Sequence, residues 1–211
     1  MTNAEIEAAI LEDRFNANYT AQITRWRKAA YTEVWYAADW SFRCVAAEDS
    51  SLVVVANNRK PTMPTNFDRD LALWDDNGNL LERLDTFTFD SRYASDTSTG
   101  KPAAYKIVNG QIILGPTPDL AYSFPMPYLR KLSHYTSANV MTVGQMSLAT
   151  DKPCWSEDHH ELLVVRAQML GLKYTDDPDS ANAMQPEYTD LLQKMIVDLA
   201  EDLVTPYRDT L

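Results

Sequence analysis

The chain has 211 residues, of which 45% are hydrophobic and 23% are charged. It is long enough to form one domain with a sizeable core, and its composition excludes an extended disordered protein. Thirty acidic side chains against 19 basic ones give a formal net charge of −11, which disfavours tight nonspecific binding to nucleic acid or to an anionic membrane.

Helical periodicity characterises the first forty residues. A helix is predicted over residues 3–15 with Asn3 as its N-cap, and a second over residues 20–38, where apolar side chains recur every three or four positions. The other side of the second helix carries Arg25, Arg27 and Lys28. Large aromatic residues crowd its end, and core packing is favoured over a binding platform for Trp35, Tyr36 and Trp40.

The pattern changes to short β-branched and aromatic runs over residues 42–128, which predicts antiparallel sheet. Asn109-Gly110 lies between two such runs and predicts a hairpin with a type I′ turn, because both central residues of that turn need positive φ. Asn77-Gly78 predicts a second hairpin, between residues 71–74 and 80–84.

Other signals in this region are weaker. Residues 52–56 form an apolar run that predicts a buried strand, and residues 90–100, rich in Ser, Thr and Asp, predict a surface loop. Pro125 and Pro127 confine the strand that follows the Asn109-Gly110 hairpin to a sheet edge, since the nitrogen of proline cannot donate a hydrogen bond to a neighbouring strand.

Helical periodicity returns after Cys154. Ser156 is a good N-cap for a helix with two apolar stripes, and such a helix lies at the centre of a bundle or is shared with a neighbouring subunit. The stripes are Leu163, Ala167, Leu170 and Tyr174, and Leu162, Val165, Met169 and Leu172. Residues 176–179 predict a turn, and a last helix starts near Pro186 and is stopped by Pro206.

Together these elements predict an α+β fold. The N- and C-terminal helices, over residues 1–40 and 155–204, would form a helical bundle within a single domain. An antiparallel β domain would be inserted at residues 41–130, and residues 205–211 would form a C-terminal tail.

No catalytic or metal-binding signature is recognisable. His159 and His160 are adjacent, whereas zinc-binding helices place two histidines four residues apart. The run from Asp75 to Asn79 lacks the glycine and glutamate of a calcium loop. Phosphate-binding loops and nucleophile elbows are absent, so we predict neither an enzyme nor a metal or cofactor site, although carboxylate pairs formed by folding are invisible in a sequence.

Cellular context is constrained by other features. The two cysteines, Cys44 and Cys154, are far apart and too few for a secreted disulfide scaffold. The first residues do not resemble a signal peptide, and the longest apolar run is too short to span a bilayer. We therefore expect synthesis in the cytoplasm and no membrane association.

Several segments, in this order, resemble those of head–tail adaptor (connector) proteins of tailed bacteriophages, particularly of the short-tailed type. They are Trp40-Ser41-Phe42, Met63-Pro64-Thr65-Asn66-Phe67-Asp68-Arg69, Gly100-Lys101-Pro102-Ala103-Ala104-Tyr105, Ile112-Ile113-Leu114-Gly115-Pro116-Thr117-Pro118-Asp119, Tyr122 and Tyr128. The resemblance covers roughly residues 25–203. The family usually has Leu-Pro, an acidic residue and Phe where this chain has Met63 and Asn66, which affects the expected strand boundaries more than the family assignment.

The resemblance implies a structural virion protein, made in the host cytoplasm, at the head–tail junction. It implies a ring, usually of twelve copies, that joins the portal protein to tail or nozzle proteins and lines a channel through which DNA passes without specific binding. Such adaptors commonly extend their C-terminus into the portal, so the resemblance suggests four portal-interface residues: Val204, Tyr207, Arg208 and Leu211. A frayed C-terminus is the alternative for this segment.

Two other functions are open. A different head-completion or tail-junction protein would share the same features. From another class, a carbohydrate- or peptide-binding β module could use exposed aromatic residues for stacking, with candidates Trp74, Tyr93 and Trp155. An aromatic row on one sheet face would favour the module, and a subunit interface along the C-terminal helices would favour the adaptor.

Overall fold

The computed structural model describes residues 1–15, 17–93 and 99–204, with their side chains except at positions 13, 14 and 200–204. The chain forms two compact units. The helical unit comprises Met1–Arg43 and the chain from Leu132 onward, and the sheet unit comprises Cys44–Lys131. Helices and mainly antiparallel sheets together confirm the predicted α+β class.

The helices are α1 (Asn3–Arg14), α2 (Thr20–Tyr36), α3 (Thr86–Tyr93), α4 (His160–Tyr174), α5 (Pro178–Ala183) and α6 (Gln185–Val204). The strands are β1 (Cys44–Val45), β2 (Ser51–Val54), β3 (Phe67–Asp70), β4 (Glu82–Arg83), β5 (Ala104–Val108), β6 (Gln111–Gly115), β7 (Tyr122–Pro125), β8 (Tyr128–Arg130), β9 (Ser133–Tyr135) and β10 (Met141–Val143). Of these, α3 and β1 to β8 belong to the sheet unit.

A capping box starts α1. The backbone N–H of Glu5 donates to the Thr2 hydroxyl, and the Glu5 carboxylate accepts from the Thr2 N–H at 2.6 Å. The N-cap is therefore Thr2, and the prediction of Asn3 is wrong by one residue. The Asn3 side chain instead donates to the Leu148 carbonyl at 3.0 Å, which ties α1 to the loop before α4.

Helix α4 lies between two groups of helices. One group of its apolar residues, with Leu163 and Ala167, joins the core that includes α1 and α2. The opposite group, with Val165, Met169 and Leu172, packs with residues of α5 and α6. Both predicted apolar stripes are therefore covered within the chain for most of their length, and Tyr174 at the end of the helix is exposed.

The aromatic residues at the end of α2 divide into two kinds. Trp35 and Trp40 are fully buried, and the Trp40 indole N–H donates to the Val34 carbonyl at 2.7 Å, which helps to end the helix. Core packing is thus confirmed for these two residues. Tyr36 is half exposed, with the Arg43 guanidinium 4.9 Å from its ring centre.

In the sheet unit three small sheets have the orders β1-β8-β3, β2-β7 and β4-β5-β6. Strands β5 and β6 form the predicted hairpin, closed by Asn109 (φ 52°) and Gly110 (φ 73°). Strand β4 pairs parallel to β5, so this region is not purely antiparallel. The strand predicted at an edge is divided in two: among the described residues β7 pairs only with β2 and is an edge strand, as Pro125 predicts, whereas β8, which follows Pro127, is the central strand of its sheet.

The second predicted hairpin is reduced to a turn. Trp74 and Leu80 form a single antiparallel bridge, and residues 71–73 are not a strand. The Asp75 carboxylate accepts from the N–H groups of Asn77 and Asn79, at 2.9 and 2.7 Å. The side chain closes the turn together with backbone hydrogen bonds, from the Asp75 N–H to the Asn79 carbonyl and from the Gly78 N–H to the Asp75 carbonyl.

Three further predictions need correction. The strand predicted as buried over residues 52–56 ends at Val54 and alternates, with Val53 62% exposed. The loop predicted from residue 90 begins after α3, whose first turn is capped by Asp85 and which buries Phe89; residues 94–98 lie outside the described residues. Proline is well tolerated at a first helical position, and Pro178 starts α5 instead of continuing a turn.

Candidate assembly surfaces

The predicted portal-interface residues lie at the end of α6. Val204 is the last residue of this 20-residue helix, while Tyr207, Arg208 and Leu211 lie outside the described residues. At 1.5 Å per residue α6 is ~30 Å long, so the packing of α6 determines the position at which the chain continues beyond Val204. The contact of the predicted residues with a portal stays a prediction.

The inner face of α6 is held on α4. Met195 is fully buried, and five neighbouring apolar residues are half-buried against the core: Tyr188, Leu191, Leu192, Ile196 and Leu199. The Arg166 guanidinium lies 5.2 Å from the Tyr188 ring centre, and His159 Nε2 lies 3.4 Å from Asp198 Oδ2. The two contacts show that α6 runs antiparallel to α4.

The outer side of α5 and α6 is acidic. We define the acidic face as four exposed carboxylates: Asp176, Asp179, Glu187 and Asp190. Among the described residues none of the four has an ion-pair partner. Lys194 is the one basic residue of α6, and Val197 beside it is 57% exposed. The outer side of α5 and α6 therefore carries charges without ion-pair partners among the described residues, together with one exposed apolar side chain.

The outer side of α2 carries the opposite charge. We define the basic face as Arg25 and Lys28, which are exposed and have no ion-pair partner in the described part of the chain. Half-exposed Tyr36 lies two to three turns further along α2. Arg27, predicted on the same side, is instead 1% exposed and donates from Nε to Glu7 at 2.9 Å; its guanidinium joins α2 to α1.

The negative charge is concentrated in one unit. By sequence, the helical unit contains 19 acidic and 10 basic residues, a net charge of −9. The sheet unit contains 11 acidic and 9 basic residues, a net charge of −2. Any electrostatic function of this acidic chain therefore belongs mainly to its helical unit.

The adjacent histidines at the start of α4, His159 and His160, do not converge on a common point. His159 faces Asp198 of α6, while His160 Nδ1 is 2.8 Å from the Met1 amino group and its Nε2 is 3.2 Å from the Trp155 carbonyl. Burial lowers the pKa of His160 to about 4. Within the described ranges no three His, Cys, Asp or Glu side chains are placed to hold a metal ion.

Two clefts in the described part of the sheet unit do not gather carboxylates. One, lined by Arg83, Leu84, Asp85, Thr86 and Ile107, contains a single carboxylate, and a second contains only that of Asp75. Hydrogen bonds, first that from the Asn79 N–H, hold the pKa of Asp75 well below its usual range. The oxygens of Asp75 are thus engaged by its own turn and by Lys101 at 3.1 Å.

The three aromatic candidates for ligand stacking do not form a row. Trp155 is 5% exposed in the helical unit, where its ring stacks on Tyr31 at 5.0 Å. In the sheet unit Trp74 is half-buried, and Tyr93 packs against Phe89 at 5.0 Å. This arrangement does not support a binding module based on these residues.

Several residues that carry the family resemblance are structural elements of the sheet unit. The Tyr128 hydroxyl donates to the Asn66 amide oxygen at 2.7 Å, and the Tyr105 hydroxyl donates to Asp70 at 2.6 Å. Gly115 lies against the Tyr93 ring, where an added Cβ would come within 2.7 Å of it. These contacts therefore stabilise the sheet unit.

Comparison with known proteins gives one family. The family model described as SU10 adaptor protein matches residues 1–208, which include both units. Among curated proteins no match is found. In the part of the chain that the structure describes, no helix has the length and hydropathy needed to cross a bilayer.

Proposed function

The chain belongs to the SU10 adaptor protein family, and from this premise we propose that it forms a ring that joins the portal to the tail of a tailed phage. The family makes it a phage adaptor protein, a structural component of the virion. The proposal adds the ring, usually of twelve copies, its position at the head–tail junction, and its contacts with portal and tail or nozzle proteins. A short-tailed phage is the type that we propose.

The family match is the observation that carries this proposal, because it extends over nearly the whole chain and over both units. The organisation of the helical unit supports it. The two apolar sides of α4 are covered within the chain, so each copy has its own packed core. The outer sides of α2 and α6 are then available for neighbours.

The charge distribution supports a role of the helical unit in lining the DNA channel. A channel wall with net charge −9 per copy repels phosphate, so DNA slides past it without being held. The sheet unit, at −2, carries much less charge and exposes apolar side chains, among them Leu80 and Phe87, which is 83% exposed. Such residues suit contact with another protein.

For the C-terminus we propose portal docking by residues 205–211, with Val204 at the end of α6 as the point of departure. Tyr207 and Leu211 offer apolar contacts and Arg208 offers a charge, a combination that suits anchoring in a protein groove. Removal of residues 205–211 is expected to abolish portal binding while the thermal unfolding midpoint is unchanged. Unchanged portal binding would refute the docking.

Mixing the full chain with its portal and imaging the product by electron microscopy tests the ring. The expected result is a symmetric ring that caps the portal. A chain that stays monomeric and never associates with the portal would overturn the proposal. A ring that assembles on isolated tail components but never on the portal would favour the alternative of a different tail-junction protein.

A further inference from the structure

The basic face lies on α2 and the acidic face lies on α5 and α6, and these helices pack against α4. Trp26 of α2 packs at Gly171 on one side of α4, and Glu33 of α2 accepts from Arg166 further along it. On the side where Val165 and Met169 pack, α4 contacts α5 and α6. One copy therefore presents two distinct surfaces, one basic and one acidic.

The two faces are complementary in charge and are both unpaired. The basic face has two cations, Arg25 and Lys28, on a unit whose net charge is −9. The acidic face has four carboxylates without ion-pair partners among the described residues. Each of the two helices also exposes an apolar side chain further along, Tyr36 on α2 and Val197 on α6. Such opposite patches attract each other and repel copies of themselves.

We propose that neighbouring copies of this chain join head to tail, with the basic face of one copy on the acidic face of the next. This inference rests on the proposed ring and names the surfaces that build it. A closed ring needs this arrangement, because a heterologous contact uses two different patches of each copy and repeats around an axis. A contact of either face with itself would stop at a dimer and bring like charges together.

The levels of the charged residues along the bundle agree with this contact. Arg25 and Lys28 flank Trp26, which packs near the C-terminal end of α4. Asp176 and Asp179 follow that same end of the helix. A rotation about the ring axis does not change the position of a residue along that axis. When the helices of the bundle are parallel to the ring axis, the cations of one copy therefore meet carboxylates of the next copy.

Charge reversal with complementation tests the pairing. One variant carries Arg25→Glu and Lys28→Glu, and a second carries Asp179→Lys, Glu187→Lys and Asp190→Lys. Matched controls reverse exposed charges of the sheet unit that have no ion-pair partner among the described residues, by Lys60→Glu and by Glu48→Lys. Circular dichroism and thermal unfolding establish that each variant is folded, and electron microscopy counts portals that carry a ring over a concentration series.

Each reversed variant alone is expected to need about tenfold more protein to occupy half of the portals, which corresponds to ~1.4 kcal/mol per interface. Both controls should behave like the parent chain. An equal mixture of the two reversed variants should recover rings, because every contact in an alternating ring then joins opposite charges. For the same reason, the recovered rings should contain an even number of copies.

The outcomes separate this inference from the function on which it rests. If the parent chain never caps the portal, the proposed function fails. If the parent chain forms rings and the reversed variants form them equally well, the pairing of these faces is wrong. If both folded variants lose the ring and their mixture does not restore it, each face matters but the two do not meet, and the inference is overturned.

Discussion

Substituting Gly171 by alanine sets helix propensity against packing. Near the C-terminal end of α4, alanine is more favourable than glycine by up to about 1 kcal/mol on propensity alone. A Cβ at this position would, however, lie 2.5 Å from the Phe15 ring and 2.8 Å from two atoms of the Trp26 ring. Both rings belong to one aromatic cluster, with centres 4.9 Å apart, so neither moves without disturbing the other.

Overpacking of this kind costs roughly 1–3 kcal/mol, and the short distances place Gly171→Ala near the upper limit. After the propensity gain is subtracted, we expect a loss of about 2 kcal/mol in the free energy of unfolding. At about 2–4 °C per kcal/mol, this lowers the melting temperature by roughly 4–8 °C. Urea titration followed by circular dichroism and differential scanning calorimetry measure the two quantities.

Two companion variants isolate the causes. Ala29→Gly, at an exposed position of α2, calibrates helix propensity in this protein and should lose about 1 kcal/mol. Trp26→Leu, which makes room beside the helix, should remove much of the penalty of Gly171→Ala when the two are combined. A Gly171→Ala chain more stable than the parent would refute the close approach of these rings to α4.

Three further substitutions test other parts of the structure. Tyr105→Phe removes the donor to Asp70, whose side chain is 1% exposed, and should cost about 2 kcal/mol in urea titration. Asn109→Ala places at φ 52° a residue that has a Cβ but no side-chain group to hydrogen-bond locally. It should lower the free energy of unfolding by about 1 kcal/mol. Burial lowers the pKa of His160 from 6.5 to about 4, so below pH 6.5 the unfolded chain binds a proton that the folded chain does not. The free energy of unfolding therefore falls as the pH drops below 6.5, by about 2 kcal/mol at pH 5. His160→Gln should abolish this pH dependence.

Each of these has a matched control. Tyr122→Phe removes a similar hydrogen bond, which the Tyr122 hydroxyl donates to Asp119 at an exposed position. This substitution should change the free energy of unfolding by less than about 0.5 kcal/mol. Asn109→Gly should be neutral, because glycine adopts positive φ without strain. For His160 the comparison is the difference in unfolding free energy between pH 8 and pH 5 in the parent and the variant; equal differences would contradict a buried neutral imidazole.

The sequence predicted the elements in which local pattern and tertiary packing agree. The Asn109-Gly110 turn was predictable because positive φ at both positions leaves few alternatives. The core of α2 and the two apolar sides of α4 followed from helical spacing. In these segments the local signal is sufficient, since no distant side chain changes the outcome.

Elsewhere distant or side-chain contacts decide the structure. The turn at Asp75 is stabilised by its own carboxylate in addition to backbone hydrogen bonds. Helix α3 is started by the cap at Asp85, within a run of Ser, Thr and Asp that is typical of loops. Arg27 lies among exposed basic residues in the sequence, yet it is buried because Glu7 of α1 meets it. Hydrophobic periodicity does not report such pairings, so the basic face was predicted one residue too large.

The acidic charge of the helical unit acts on assembly in two opposing ways. Helical units with a net charge of −9 repel one another over distances of tens of ångströms, whereas a pairing of Arg25 and Lys28 with carboxylates would act over about 4 Å. The Debye length is about 30 Å at 0.01 M salt, about 8 Å at 0.15 M and about 3 Å at 1 M. Salt near 0.15 M thus screens most of the general repulsion and leaves the short pairings largely intact, while higher salt weakens the pairings as well. It follows that a ring built on these faces is most stable at intermediate ionic strength, whereas a ring held by apolar contact alone would gain stability continuously with salt.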